Sequence, residues 1–330
     1  MAMTLVTGAT GFVGSAVARV LAARGHSLRL LVRANSDRRN VAGLDAELVT
    51  GDLTDPASLA RAAAGCRYVF HVAADYRLWV PQPETMLRAN VEGTLAMMHA
   101  AQQAGAERIV HCSSVAALGF TDDGSPADEA TPVHPEAFVG TYKRSKYEAE
   151  QAVLRLIRDE ALPAVIVNPA APVGPRDIKP TPTGRLIRDA ARGRIPAYVD
   201  TGLNVVHVDD VAEGHALALE RGRIGERYIL GGENLPLGRL LALVAEVAGR
   251  KPPRIALPIG PLVPVAAAME WMARLTGKEP IATRDQLKMA RKKMYYSSAK
   301  AQAELGYHAR PARQAVEDAV AWFRANGMLG

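Results

Sequence analysis

The opening stretch constrains this chain more than any other. A short apolar run, Thr4-Leu5-Val6-Thr7, stops at Gly8, and glycines return at 11 and 14. Apolar residues from Phe12 to Ala23 then repeat at helical spacing and end at Gly25. A strand that turns tightly into a helix places glycine at such positions for three reasons: the turn itself, close approach of backbone to a pyrophosphate, and close packing of helix on strand. The helix N-terminus adds free N–H groups and a positive dipole end. Glycine spacing alone says little, since glycine punctuates many turns, but here the pattern lies between a strand and a helix. The candidate phosphate-binding residues are Gly8, Thr10, Gly11, Phe12, Val13 and Gly14.

Apolar runs recur at Leu28–Val32, 46–49, 69–74, 108–112 and 164–167, with helical patterns at 12–23, 56–64, 84–104 and 141–160. Such alternation builds a parallel sheet with helices on both faces. The expected fold is α/β, a Rossmann-type doubly wound parallel sheet with a smaller, mostly helical C-terminal substrate lobe. After Asn168-Pro169 the rhythm changes, and prolines and glycines crowd the chain up to Pro196. The boundary is therefore set at 168: residues 1–168 form the dinucleotide-binding unit and 169–330 the lobe, with about 203–230 returning to the first unit.

The residue after the second strand selects the cofactor. An acid there would bond the ribose hydroxyls of NAD, whereas an arginine accepts a 2′-phosphate. Arg33 follows Leu30-Leu31-Val32, with Arg38 and Arg39 close behind. NADP is the preferred cofactor on this reading and NAD the alternative. Asp52-Leu53 and Val72-Ala73-Ala74 end the third and fourth strands, where they flank adenine and phosphates or serve as plain strand ends.

Tyr142 and Lys146 share a helix face at i, i+4. A phenol titrates near 10 and is a poor base at neutral pH. A neighbouring ammonium is expected to lower that value, so that the tyrosine exchanges a hydroxyl proton while hydride moves. Ser114 ends the fifth strand in His111-Cys112-Ser113-Ser114 and is placed to bond the same oxygen. The order phosphate loop, Ser-Ser strand end, Tyr-x-x-x-Lys gives the pair its meaning; alone it has little.

Hydrophobic residues make up 48% of the 330 and charged residues 22%, the balance of a globular protein. Net charge is +6. The one basic cluster, Lys288, Arg291, Lys292 and Lys293, reads first as a solvated helix face and second as a site for an anionic substrate or an acidic membrane surface. No basic stripe interleaved with aromatics points to nucleic acid. Ile255 to Met269 is apolar but broken by Pro258, Pro261 and Pro264, too short to span a bilayer. Membrane contact is at most peripheral, and a cytoplasmic location is expected. Cys66 and Cys112 are read as reduced thiols near the sheet. No residue cluster has metal-ligand spacing, so no metal is expected. His71, His207 and the tryptophans Trp271 and Trp322 are read as structural or packing residues.

With these motifs in view, the chain resembles the extended branch of the short-chain dehydrogenase/reductases from Thr4 to about Phe323. Asn90-Val91-Glu92-Gly93-Thr94, Asn168-Pro169 with Val173-Gly174-Pro175, and His207-Val208-Asp209-Asp210-Val211-Ala212 match its recurring segments. It is most similar to the hopanoid-associated sugar epimerases, also described as dihydroflavonol 4-reductase-like. That similarity rests on 71–79, 197–202 and 228–234. It implies Ser114, Tyr142 and Lys146 as catalytic residues, Pro169 beside the cofactor, a loop with Tyr76 and Trp79 near substrate, and a homodimer through helices near 90–104 and 142–160. Val115-Ala116 follow Ser114 where sugar dehydratases carry proton-moving carboxylates, which argues against dehydration.

Three functions compete: an NADPH-dependent reductase of a carbonyl compound, a nucleotide-sugar epimerase with retained NAD, and a non-catalytic dinucleotide sensor. Arg33 favours the first. Lys179, Arg185, Arg188 and the 288–293 cluster offer the second a diphosphate site. The Tyr142–Lys146 pair speaks against the third. Asn168 is a candidate substrate contact or a strand cap.

Overall fold

The computed structural model describes residues 2–77, 82–121, 123–134, 138, 140–276, 280 and 282–329. The first half alternates as expected: β1 (Met3–Thr7), α1 (Phe12–Ala23), β2 (Ser27–Val32), β3 (Ala46–Thr50), α2 (Pro56–Ala63), β4 (Tyr68–His71), α3 (Pro83–Leu87), α4 (Gly93–Gln103), β5 (Arg108–Cys112), α5 (Thr141–Glu160) and β6 (Ala164–Pro169). The second half adds β7 (Ala171–Val173), α6 (Pro182–Ala191), β8 (Ala197–Val199), β9 (Gly202–His207), α7 (Val208–Arg221), β10 (Arg227–Leu230) and β11 (Glu233–Pro236). It continues through α8 (Leu237–Ala248), β12 (Ile255–Leu257), α9 (Ile259–Thr276), α10 (Arg284–Met289), α11 (Ala299–Leu305) and α12 (Ala312–Ala325).

Seven strands form one parallel sheet in the spatial order β3-β2-β1-β4-β5-β6-β10. Successive side chains of a strand point to opposite faces, and both faces here are apolar. Val6, Phe70 and Val110 pack under α1 and α7, while their chain neighbours Leu5, Val69 and Ile109 pack under α2, α4 and α5. Full burial of one such side chain contributes roughly 1.5–3 kcal/mol. The chain order reverses between β1 and β4, which opens a crevice at the carboxyl ends of the strands, where open α/β sheets bind ligands. Gly8, Arg33, Asp52, Val72 and Ser114 all lie within two residues of those ends.

The C-terminal lobe is mainly helical and also carries two small sheets, β11-β9-β7 and β12-β8. Its own core joins α6, α8 and α12 through Ile187, Leu240 and Phe323. Within this half, α7 packs on α1 and β10 pairs with β6, so the chain passes back into the main sheet before returning to the lobe. The helical pattern at 84–104 forms as one unbroken run of helical turns. A π-turn at Arg88–Glu92 joins α3 to α4. At Gly93 an added Cβ would lie 2.8 Å from the Cβ of Leu53, so the two segments meet too closely for a side chain there.

Candidate active site

The glycine turn is built by contact. Gly8 has φ +71°, and a Cβ there would lie 2.7 Å from the Ala73 backbone nitrogen. A Cβ on Gly14 would lie 2.2 Å from the Gly8 oxygen, which Gly11 already holds as acceptor of its N–H at 2.9 Å. Gly11 is the N-cap of α1 and offers no side chain to the helix N–H groups. That leaves the helix dipole and its donors facing the crevice, a cradle that fits a pyrophosphate. Phe12 is buried in the core, so it presents only its backbone to this cradle, and Val13 is half-buried. Thr10 is positioned through its carbonyl oxygen, which accepts from Asn40 Nδ2 at 3.2 Å. Thr7 Oγ1 accepts from the N–H groups of Val72 and Ala73 at 3.1 Å each, and Ala74 continues the same half-buried rim.

Arg33 stands exposed directly after β2. Its charge helps hold the Asp52 carboxyl below the usual range, after the larger effect of the Thr54 N–H and hydroxyl, which donate to Asp52 Oδ1 at 2.9 and 2.7 Å. Asp52 is thus folded back on its own turn. Leu53 is half-buried against Gly93. Arg39 is occupied by Asp37 at 2.7 Å, whereas Arg33 and Arg38 are exposed without a carboxylate partner among the described residues.

Tyr142 lies in the first turn of α5, and Lys146 lies one turn on. The Ser114 hydroxyl lies against the Tyr142 phenol, a contact that by itself favours the phenolate. Lys146 is 4% exposed and donates from Nζ to the Cys112 carbonyl oxygen at 2.9 Å. The expected lowering of the phenol does not occur. Desolvation outweighs the Ser114 contact and raises the Tyr142 pKa above its ordinary value, and the ammonium does not figure among its main perturbers. Burial also lowers the Lys146 pKa. Burial pushes the Cys112 thiol up to about 11, and Cys66 is likewise a buried free thiol with a raised pKa.

A buried network missed in the sequence frames this centre. Asn90, in the π-turn, accepts from the Asp75 N–H at 2.7 Å and donates to the Asp75 carbonyl at 2.8 Å and to Ser145 Oγ at 2.9 Å. The Ser145 hydroxyl donates to the Tyr142 carbonyl at 2.8 Å. The loop carrying Tyr76 is thereby tied to the helix carrying Tyr142. Its sequence signal was an asparagine inside a helical pattern. Asn168 is fully buried and donates to Glu150 and to the Ser114 carbonyl oxygen at 2.6 and 3.0 Å, so its side chain supports the serine from behind. Pro169 ends β6 beside it, also buried. His71 is satisfied between Thr7 and Thr94 at 2.9 and 3.0 Å, and burial pushes its pKa down to about 3. His207 accepts from the Asp209 N–H and is paired with Asp318.

Tyr76 is 41% exposed and sits among opposed charges: Asp177 and Asp75 on one side of the balance, Arg185 and Arg33 on the other. Asp177 was also missed. It is 2% exposed, accepts from the Thr181 N–H and hydroxyl, and is pushed by burial to a pKa of about 6. Arg185 on α6 opposes that rise, with Arg188 behind it. Arg188 is engaged with Asp189 at 2.9 Å. Trp79 lies outside the described residues. Trp322 is half-buried at the lobe core, but Trp271 is 63% exposed, so the expectation of a packing role fails for it. Among the described residues, no group of His, Cys, Asp and Glu is arranged to hold a metal ion.

Residues 4–231 match the NAD dependent epimerase/dehydratase family. The chain is 44% identical to a putative dihydroflavonol 4-reductase of Synechocystis, covering 98% of this chain and 95% of that one. It is 35% identical to the sterol demethylase protein B of Methylococcus capsulatus, covering 99% of each. A nucleoside-diphosphate-sugar epimerase from Pseudomonas aeruginosa has the same fold at a TM-score of 0.81, 30% identity, and 100% and 99% coverage.

Proposed function

The chain belongs to the NAD dependent epimerase/dehydratase family, and from that premise we propose that it is a reductase that exchanges NADP(H) and reduces the carbonyl of a hydrophobic small molecule. The observation that carries this reading is the Tyr142 phenol, held protonated by desolvation with Ser114 against it. A neutral phenol is the form that gives a proton to a carbonyl oxygen. When bound, the nicotinamide supplies the hydride. Gly8, Gly11 and Gly14 hold the pyrophosphate, Arg33 takes the 2′-phosphate, and Arg38 adds positive charge nearby. Ser114 steadies the carbonyl oxygen while Tyr142 protonates it, and Lys146, fixed on the Cys112 carbonyl, holds the first turns of α5 against the strand end that presents Ser114. Tyr76 and Arg185 border the substrate side.

Similarity to the reductase of Synechocystis supports a carbonyl substrate, and similarity to the sterol demethylase protein supports a polycyclic lipid, in keeping with hopanoid metabolism. A cytoplasmic homodimer paired across α4 and α5 is the assembly this reading carries. The second reading, a nucleotide-sugar epimerase with retained NAD, is favoured by the likeness to the Pseudomonas epimerase. It is weakened by the engagement of Arg188 with Asp189, which leaves less free charge for a diphosphate.

Deuterium transfer separates the two. Purified protein is mixed with NADPH carrying deuterium at C4 and with a panel of aryl and polycyclic ketones, and product alcohols are analysed by mass spectrometry. Deuterated alcohol with matching NADP formation supports the reductase. Turnover of a nucleotide sugar with no net cofactor oxidation overturns it.

A further inference from the structure

We infer that the exposed face of α9, with the basic segment around it, docks this protein on an anionic lipid surface. Helix α9 is two-sided. Ala266 and Ala273 are buried against the protein, whereas Val265, Ala268, Trp271, Met272 and Leu275 are exposed at the spacing of a single helical stripe. The stripe is apolar throughout. Just before the helix, Ile255 and Leu257 of β12 are also exposed, at 59% and 37%. Nine large hydrophobic side chains are exposed among the described residues, and six of them fall between 255 and 275. Scattered exposed apolar residues need no explanation, but a concentration of this kind marks an interaction surface.

Charge selects the occupant. Residues 250–293 carry ten Lys and Arg against three Asp and Glu, a surplus of +7, while the whole chain carries +6. The rest of the molecule is therefore close to neutral, and this segment holds the positive excess. Arg254 precedes the exposed strand, and Lys288, Arg291, Lys292 and Lys293 are exposed at and beyond the end of α10, which packs on α9. A two-fold contact with a second copy would set this basic segment against itself. An anionic leaflet attracts it, through each Lys and Arg near the surface. A helix packed on the protein by its alanine face, with an outward Trp, Leu and Met face and basic surroundings, lies in the interface plane. No described helix is long and apolar enough to cross a membrane, so α9 lies on the surface. Its position is held by Glu270, which accepts from the Arg284 N–H and side chain at 2.6 and 2.9 Å and so clamps α9 to α10.

The test is co-sedimentation of the full-length protein with vesicles of phosphatidylcholine, with and without about one-quarter phosphatidylglycerol. Binding is expected only to the anionic vesicles and is expected to fall with added salt. Trp271→Ser with Leu275→Ser is expected to weaken it about tenfold or more, and Lys288→Glu with Arg291→Glu to weaken it at low salt. Both pairs are exposed, so unfolding midpoints should stay unchanged. Absence of binding to anionic vesicles, or binding untouched by either pair, overturns the proposal. So does a concentration-dependent dimer, formed without vesicles, that the Trp271 and Leu275 changes abolish.

Discussion

Lys146 Nζ donates to the main-chain carbonyl oxygen of Cys112 at 2.9 Å, and this bond ties the first turns of α5 to the end of the strand that presents Ser114. The ammonium is buried, and its pKa is lowered by that burial. Replacing it with an apolar chain of similar length removes a desolvated charge, so Lys146→Met should leave the thermal midpoint unchanged or higher. Turnover should fall on the order of 100-fold, because the bond that positions Tyr142 on α5 against the Ser114 strand end is gone. Parallel melting curves and steady-state rates check both parts.

Tyr142→Phe removes the proton donor alone. Turnover should fall by roughly 100- to 10,000-fold while cofactor affinity stays within a few-fold. In the unchanged protein the sign of the pH dependence follows from the raised phenol pKa. The donor form is present below that pKa, so the reductive rate should hold across the neutral range and decline only above the ordinary phenol range. A decline between pH 7 and 9 in a full rate profile would speak against Tyr142 as the acid.

Asn90→Ala cuts the link from Asp75 to Ser145 and leaves the part-buried N–H and carbonyl of Asp75 without their partner. Each such loss costs roughly 1–3 kcal/mol. The variant should be less stable to urea by that order, and its substrate KM should rise more than its cofactor affinity falls, because Asn90 anchors the Tyr76 loop.

Asp177 has a folded pKa of about 6 against an ordinary 3.8. The folded state therefore holds the proton more tightly than the unfolded state. The penalty for ionising it is absent below about pH 4, grows as pH rises to about 6, and is constant above that. A rise of about two pKa units corresponds to about 3 kcal/mol at most. Asp177→Asn does not titrate, so its stability relative to wild type should improve through that window and level off above it. Urea unfolding at a series of pH values measures this.

Much of the architecture was legible. The alternation of Leu5 with Val6 and of Ile109 with Val110 is a strand buried on both faces, and α1 and α5 begin and end where their helical patterns do. What was not legible depends on partners far along the chain. Asn90 meets Asp75 and Ser145, 15 and 55 residues away, and no local pattern announces that. The Tyr142 phenol was expected to be lowered by the lysine on its helix face, but its desolvation comes from the surrounding fold. Trp271 lies in a helix apolar on nearly every side, so the pattern could not say which side faces out.

The central claim is an exchangeable NADP(H) held by Arg33, and the most direct measurement is the cofactor content and preference of the purified protein. Protein is denatured, the released nucleotides are identified by mass spectrometry, and emptied protein is titrated with NADPH and NADH. The account predicts little retained nucleotide and NADPH binding at least about tenfold tighter than NADH, a preference that Arg33→Ala abolishes. Stoichiometric NAD that survives purification, with no preference for NADPH, would contradict it.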